Sequence, residues 1–521
     1  MVTVDSIDHG QHLNMPWQNC IAVGRAYDLL RKDLTDHLKM IQKDFPFKYC
    51  RFHALFHDDM GVVSRGPDGT LKFRWHQVDK IYDSLLELDL RPFVELNPMP
   101  GAMASGTQQM FYYKMNVTPP QQWEEWRRLV KEFASHIRER YGLEEIRKWY
   151  YEVWNEPNLS GFWSGTKEEY FRLYDKAASA LKETDPFLRV GGPATSKGGW
   201  ITDLLEHCSA KQVPIDFIST HLYPQDEFVF YPDRKDSPHE EGFFFKDMFK
   251  RVQREVKESS FPDIEIHWTE WNTQSAPSSE AVTWSENIYV DNLFAASFIV
   301  KTCIEIDSLC DSAAYWTASD IFEEGGIPHT PFSCTYGLVT VQGIPKAGYN
   351  GFKFLSKMKG SVCHHDFRET PPSGCGCLIT EDNSSYRILC WNNRFPQNPD
   401  RPVWNDTIKI PLPRNKQHNP AYSLITGRIR PGAGSPWETW IKMGKPANPT
   451  SLQEEVLRAA SVPEYKTESV TAQGDVLYLD FTVGPDEVLF AELRPRDEGF
   501  IPEKLSEEQK KWDAAMGDQN R

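Results

Sequence analysis

The sequence predicts an α/β protein, a (β/α)8 TIM barrel followed by a β-sandwich domain. Three observations lead there. Short β-branched and aromatic runs alternate with amphipathic helical stretches over roughly 340 residues, within the range of such barrels. Two of those runs end in a glutamate, at Glu156 and Glu270. After about residue 359 the texture changes to short alternating runs between Pro, Gly and Asn clusters, the pattern of a sandwich. The expected organisation of the 521 residues is a lead-in and candidate edge strand of the sandwich (1–18), the barrel (19–358), the sandwich (359–500) and a charged tail (501–521).

The units follow in order. A strand at 21–24 precedes a helix over 29–45, where Leu30, Leu34, Leu38 and Ile41 fall at helical spacing. Strand two spans 49–54 and leads to a helix at 78–88. Strand three spans 91–96, and a long loop rich in Gly, Met and Gln (97–120) follows it. Pro119-Pro120 suits the first turn of a helix, and Trp123, Trp126, Val130, Phe133 and Ile137 mark that helix's buried stripe. Strand four is the run Tyr150-Tyr151-Glu152-Val153-Trp154, ended near Pro157 because proline cannot donate to a sheet ladder. A helix at 167–184, strand five at 188–192, a helix at 200–208 and strand six at 216–223 come next. A helix at 242–257, strand seven at 264–271, a helix at 287–306, strand eight at 313–319 and a helix at 346–358 complete the set. A doubly wound sheet would carry an early glycine-rich phosphate loop, and neither GxGxxG nor GxxxxGK[ST] follows an early strand. The sandwich begins to show in runs such as 386–391 and 476–481.

Composition excludes several classes. The net charge is −16, from 58 basic and 74 acidic residues, which argues against nucleic acid and against anionic membranes. No apolar stretch is long enough to span a bilayer. Residues 1–6 lack the features of a signal peptide, so a cytoplasmic compartment is expected unless a secretory leader has been removed. The 10 cysteines form no framework. Cys375-Gly376-Cys377 is too close for ordinary zinc spacing and has no matching pair, so reduced, mostly buried thiols are expected. Sequons stand at Asn116, Asn158, Asn383 and Asn405, and a glycan on Asn158 would obstruct the region around Glu156. The 17 tryptophans are read chiefly as core. The oligomeric state is not encoded legibly, and a homo-oligomer stays open.

The candidate chemistry lies in the two glutamates. Glu156 sits at the tip of strand four and Glu270 at the tip of strand seven, where parallel barrels carry their reactions. A lone carboxylate at a strand end more often pairs with Arg or Lys. Two of them, each beside tryptophan (Trp154; Trp268 and Trp271) and one preceded by Asn155, point to perturbed acids in one pocket. Paired carboxylates of this kind cleave glycosidic bonds, one giving a proton to the leaving oxygen and the other attacking the anomeric carbon or activating water. His53 at strand two, and His221 with Tyr223 on one face of strand six, are candidates to bind hydroxyl groups. Trp316 lies on strand eight, with Glu323 and Glu324 just beyond. Arg51 and Glu152 are expected to pair lower in the barrel. A metal site is the competing reading of these His and Glu residues, but no HxxxH or HxH spacing supports it, so no metal and no cofactor is expected. A non-catalytic sugar-binding barrel is disfavoured by the intact pair of glutamates.

These residues resemble the clan A glycoside hydrolases through Trp154-Asn155-Glu156-Pro157 and Thr269-Glu270-Trp271, and more closely glycoside hydrolase family 39, which holds β-xylosidases and α-L-iduronidases. Gly24-Arg25-Ala26, Arg51-Phe52-His53, Asp58-Asp59-Met60-Gly61, Phe162-Trp163, Ser219-Thr220-His221-Leu222-Tyr223-Pro224 and the segment 315–324 extend the likeness over the barrel. The resemblance implies a retaining, exo-acting enzyme. Glu156 would be the acid and then the base, Glu270 the nucleophile, and Asn155 the contact to the sugar 2-hydroxyl. His53, His221, Tyr223, Trp316, Glu323, Glu324 and Phe162 would line the sugar subsite. Tyr223 stands where iduronidase-type members have lysine, which favours a neutral sugar, β-D-xylose first. Two departures leave galactosyl, glucosyl or arabinosyl units open. Phe332-Ser333-Cys334-Thr335-Tyr336-Gly337-Leu338 replaces the family's glycine-rich segment, and in the loop after Glu270 only Trp284 offers itself for the xylosidases' tyrosine.

Overall fold

In the computed structural model the described residues are 1–226, 244–274, 289–322, 324–326, 328, 330–393, 402–412 and 421–496. Glu323, Trp284 and the tail 501–521 lie outside them.

Eight parallel strands close a barrel: Cys20–Arg25, Tyr49–His53, Arg91–Leu96, Tyr150–Val153, Arg189–Ser196, Phe217–Leu222, Glu265–Trp271 and Ser312–Tyr315. The last pairs with the first through Tyr315 and Ile21. Helices Lys32–Asp44, His76–Glu87, Lys167–Thr184, Ile201–Lys211, Phe244–Lys257, Phe294–Glu305 and Ala347–Leu355 follow the expected alternation. Several boundaries differ: the helix expected over 287–306 is Phe294–Glu305, and strand eight, expected at 313–319, is Ser312–Tyr315. The helix expected to open on Pro119-Pro120 starts later, at Trp123, because Pro120 is held in an extended bridge to Ala104.

The alternation of side chains along each strand divides the molecule into layers. Tyr151, Val153, Trp154, Trp268 and Trp271 turn outward, into the core between strands and helices. Trp268 stacks on Phe249 with centroids 3.9 Å apart, and Trp154 packs against Trp163 at 5.0 Å. Inside the barrel the lower end is plugged by rings: Phe93, Tyr150, Phe217 and His267. Above this plug the interior becomes charged, with Arg51, Glu95 and Glu152 fully buried.

The second domain is a ten-stranded mixed sheet. Its two ends face each other across one core, in which Ile379, Ile388 and Leu489 meet Ile408, Leu477 and Phe481. The N-terminal strand Val2–His12 lies inside this sheet, between Ser361–Phe367 and Trp404–Pro411, rather than at its edge. Alternate residues, Leu378, Leu389, Val488 and Phe490 among them, face the barrel and join its core. Asn350 of helix Ala347–Leu355 donates to the carbonyls of Gly434 and Ser461, and Asn393 donates to the hydroxyl of Ser297. Helices Trp437–Lys442 and Ser451–Ala460 interrupt the sheet's strands. None of the ten cysteines forms a disulfide, and eight of them are buried.

Candidate active site

Strand four ends at Val153, and the backbone leaves it through two left-handed residues, Trp154 (φ 71°) and Glu156 (φ 43°). Such conformations cost non-glycine residues on the order of 1–3 kcal/mol and concentrate at functional sites. The turn is held by the amide of Glu156, which donates to the carbonyl of Ala194, and by the indole of Trp154, which donates to the carbonyl of Phe162. It throws the Glu156 side chain over the barrel mouth. Strand seven brings Glu270 beside it, in register with His221 of strand six. One carboxylate oxygen of Glu156, one of Glu270 and a ring nitrogen of His221 lie within 4.8 Å of one another.

The two carboxyl groups have different surroundings. Glu270 is gripped at both oxygens: Arg51 donates to Oε1 at 2.9 Å, and the Tyr223 hydroxyl donates to Oε2 at 3.0 Å. Both contacts fix the orientation of the carboxyl at the barrel mouth. Glu156 has no arginine in contact, and burial pushes its acid up to about 7. His221 stands between the two acids: Nδ1 lies 3.0 Å from Glu156 Oε1, and Nε2 lies 3.1 Å from the Thr269 hydroxyl, which donates to Glu152, and 3.5 Å from Arg51 Nη2. Burial holds His221 neutral, down to about 4.

Arg51 does more than pair with Glu152. Its Nε donates to Glu152 at 2.6 Å, Nη1 to Glu270, and Nη2 to Asn155 Oδ1 at 2.9 Å, while Glu95 lies 2.7 Å from Nη2. Burial raises Glu152, but Arg51 and the hydroxyl donors outweigh it and hold that carboxyl below its usual range. Burial outweighs the Arg51 guanidinium at Glu95 and pushes that acid up to about 8.

The expected site residues are brought together, with some differences in role. His53 reaches 3.5 Å from Glu270 Oε1 and 3.8 Å from Glu324 Oε1, with its ring packed on Trp316 at 4.4 Å. Glu324 is half-buried, and burial together with Glu270 and Glu156 raises its acid well above the ordinary value. Phe162 is half-buried at the rim, edge-on to Phe111 at 5.3 Å. His221 is fully buried and faces the carboxylates, not the open mouth. The tryptophans next to the glutamates in sequence turn into the helical layer, so the barrel interior rather than an indole face desolvates Glu156; Trp316 is the indole that reaches the site. Asn158 exchanges two hydrogen bonds with the Ser196 backbone, which commits its side chain to structure.

Three participants were not singled out from sequence. Glu95 is a charged residue inside the apolar run of strand three, and that interruption was its signal. Phe111 sits in the long loop after strand three and lies parallel to His53 at 6.3 Å. Tyr336, within the atypical segment after strand eight, packs on Tyr223 and Phe322 at 6.1 and 5.4 Å.

Residues 1–477 match the model of the family described as glycosyl hydrolases family 39. A β-xylosidase of Caldicellulosiruptor saccharolyticus is 37% identical over 94% of this chain and 98% of its own length. A β-xylosidase of Geobacillus stearothermophilus is 34% identical over 92% and 93%. The crystal structure of a monomeric β-xylosidase from Caulobacter crescentus CB15 superposes with a TM-score of 0.82, covering 95% of this chain and 99% of that one at 29% identity.

Proposed function

The chain belongs to glycosyl hydrolases family 39 and is a glycoside hydrolase, and on that premise we propose that it is a retaining, exo-acting β-xylosidase. The observation that carries this reading is the asymmetry of the two carboxyl groups: Glu270 accepts from Arg51 and Tyr223, Glu156 is raised to about 7 by burial, and their nearest oxygens lie within 4.8 Å. A separation this short leaves no room for a water between the acid and the sugar's far face, so the second carboxylate attacks directly.

In the first step Glu270 forms a bond to the anomeric carbon while Glu156 protonates the departing oxygen. In the second, Glu156, now a carboxylate, takes a proton from water as that water displaces Glu270. Asn155, its oxygen bound by Arg51, turns its N–H groups to the sugar 2-hydroxyl. His53, Glu324, Trp316 and Phe162 line the remaining hydroxyl groups and ring face. Xylose is favoured because the relatives matched over nearly the whole chain are named β-xylosidases, and because Tyr223 rather than a cation stands beside Glu270. The atypical segment around Tyr336, which packs on Tyr223, carries the second reading, another neutral sugar.

A panel of nitrophenyl β-xyloside, galactoside, glucoside and arabinoside decides between them. The expected order puts the xyloside first; a larger kcat/KM on a hexoside overturns the xylose assignment. Glu270→Ala is expected to abolish turnover, with azide restoring it as a glycosyl azide of inverted configuration. Exhaustive chelation is expected to leave turnover unchanged.

A further inference from the structure

Glu95 is buried on strand three, touches no part of the open mouth, and is taken up by none of the steps above. It faces Arg51 and His53 from strand two, Glu152 from strand four, His221 from strand six, and Asn97 beyond its own strand. Both of its oxygens reach Nδ1 of His53, Oε1 at 2.9 Å and Oε2 at 2.8 Å, and Oε2 also lies 2.7 Å from Arg51 Nη2. The opposite nitrogen of that imidazole, Nε2, looks toward Glu270 and Glu324.

We propose that Glu95 is a positioning residue: it holds a proton on Oε1 and donates it to Nδ1 of His53, which locks that imidazole as the Nε2–H tautomer and makes it a hydrogen-bond donor to the sugar. This rests on the glycosidase reading of the barrel mouth. One guanidinium faces three carboxyl groups here, and in an enclosed site it cannot hold all three ionised. Arg51 donates to Glu152 and Glu270 and meets Glu95 at Oε2, so a proton on Oε1 of Glu95, turned to Nδ1 of His53, relieves the excess of negative charge. Burial, which pushes Glu95 up to about 8 and His53 down to about 4, acts the same way. An ionised Glu95 would instead take Nδ1–H, and a bare Nε2 lone pair would then face the Glu270 carboxylate 3.5 Å away. Trp316 and Phe111 on the ring faces restrain the imidazole plane, so Glu95 needs to set only where the proton lies.

The test has two parts. Long-range proton–nitrogen NMR on enzyme labelled with 15N at histidine, with His53 assigned by difference against His53→Gln, reads the tautomer near neutral pH. Protonated Nε2 with bare Nδ1 is expected; protonated Nδ1 overturns the proposal. Kinetics on an aryl β-xyloside supply the second part. Glu95→Gln places an amide N–H2 where the acid proton was and keeps an oxygen for Arg51, so it is expected to stay within about 10-fold of the parent, whereas Glu95→Ala loses a further 10- to 100-fold or so in kcat/KM. If Gln is as damaging as Ala, Glu95 is an ionised counter-charge and the proposal fails. Should Glu95→Ala not fold, the NMR result and the Gln variant still decide. The tautomer measurement needs no turnover, so its outcome is separable from failure of the Glu270 assignment.

Discussion

Glu156 and Glu270 are chemically the same side chain, and their different tasks come from what each touches. Because burial raises Glu156 to about 7, its acid form is complete below that pH and is lost as pH rises through it. The alkaline limb of kcat/KM on a xyloside with a poor leaving group should fall near 7, and should flatten for an activated aryl leaving group that needs no proton. Tyr223→Phe removes the hydroxyl that donates to Glu270 Oε2. A hydrogen bond to a charged group is worth about 1.5–3 kcal/mol, so kcat/KM should drop about 10- to 150-fold with the fold intact by circular dichroism. The two glutamates were legible in the sequence because each ends an apolar run. Arg51, Tyr223 and His221 were named from the sequence too, but their contacts with the two carboxyl groups were not legible, since they lie on other strands. The tryptophans illustrate the error that follows: Trp154 and Trp268 stand two residues before the glutamates, and they point away from the site only because the backbone departs from regular strand, through left-handed residues at 154 and 156 and a register shift between 268 and 271.

At the scale of elements, the segment after strand eight is anchored by a buried cation. Lys346 lies between Asp291 and Asp320, donates also to the carbonyl of Thr335, and is fully buried. Asp320 in turn accepts from the amide of Gly337 at 2.8 Å, next to Tyr336 in the site. Removing one partner from such a cluster leaves uncompensated buried charge, so Lys346→Met should cost about 3–5 kcal/mol in urea unfolding. Thr450→Ala, which removes an exposed N-cap in the second domain, should cost about 0.5–2 kcal/mol in the same measurement. The eight strand–helix units were legible because the period of apolar residues switches between 2 and 3.6. The helix Ser451–Ala460 was not recognised, although Thr450 and Gln453 form a capping box at its start. The helix at Trp123 shows the converse: two prolines suited to a first turn are drawn into a bridge by the neighbouring loop.

At the scale of the whole molecule, the second domain covers an apolar face of the barrel. Phe354 meets Phe490 at 5.5 Å, and residues of both domains belong to one core. The two should unfold in a single transition, and a fragment of residues 13–358 should aggregate, because it exposes this face and leaves the sheet without Val2–His12; a soluble, monodisperse fragment in gel filtration would overturn this. Among the described residues no helix is long and apolar enough to cross a membrane. The sequence by itself determined the fold class, the change of texture into a second domain and the pair of glutamates, because local periodicity, proline stops and strand-end carboxylates are written in contiguous residues. Only the tertiary structure decided that the N-terminal strand sits inside the sheet, that Arg51 connects four site residues, and that Glu95 stands behind His53. Those facts depend on which residues the closed barrel brings within hydrogen-bond reach, and on the loss of water that moves their protons, neither of which is a property of any one stretch of chain.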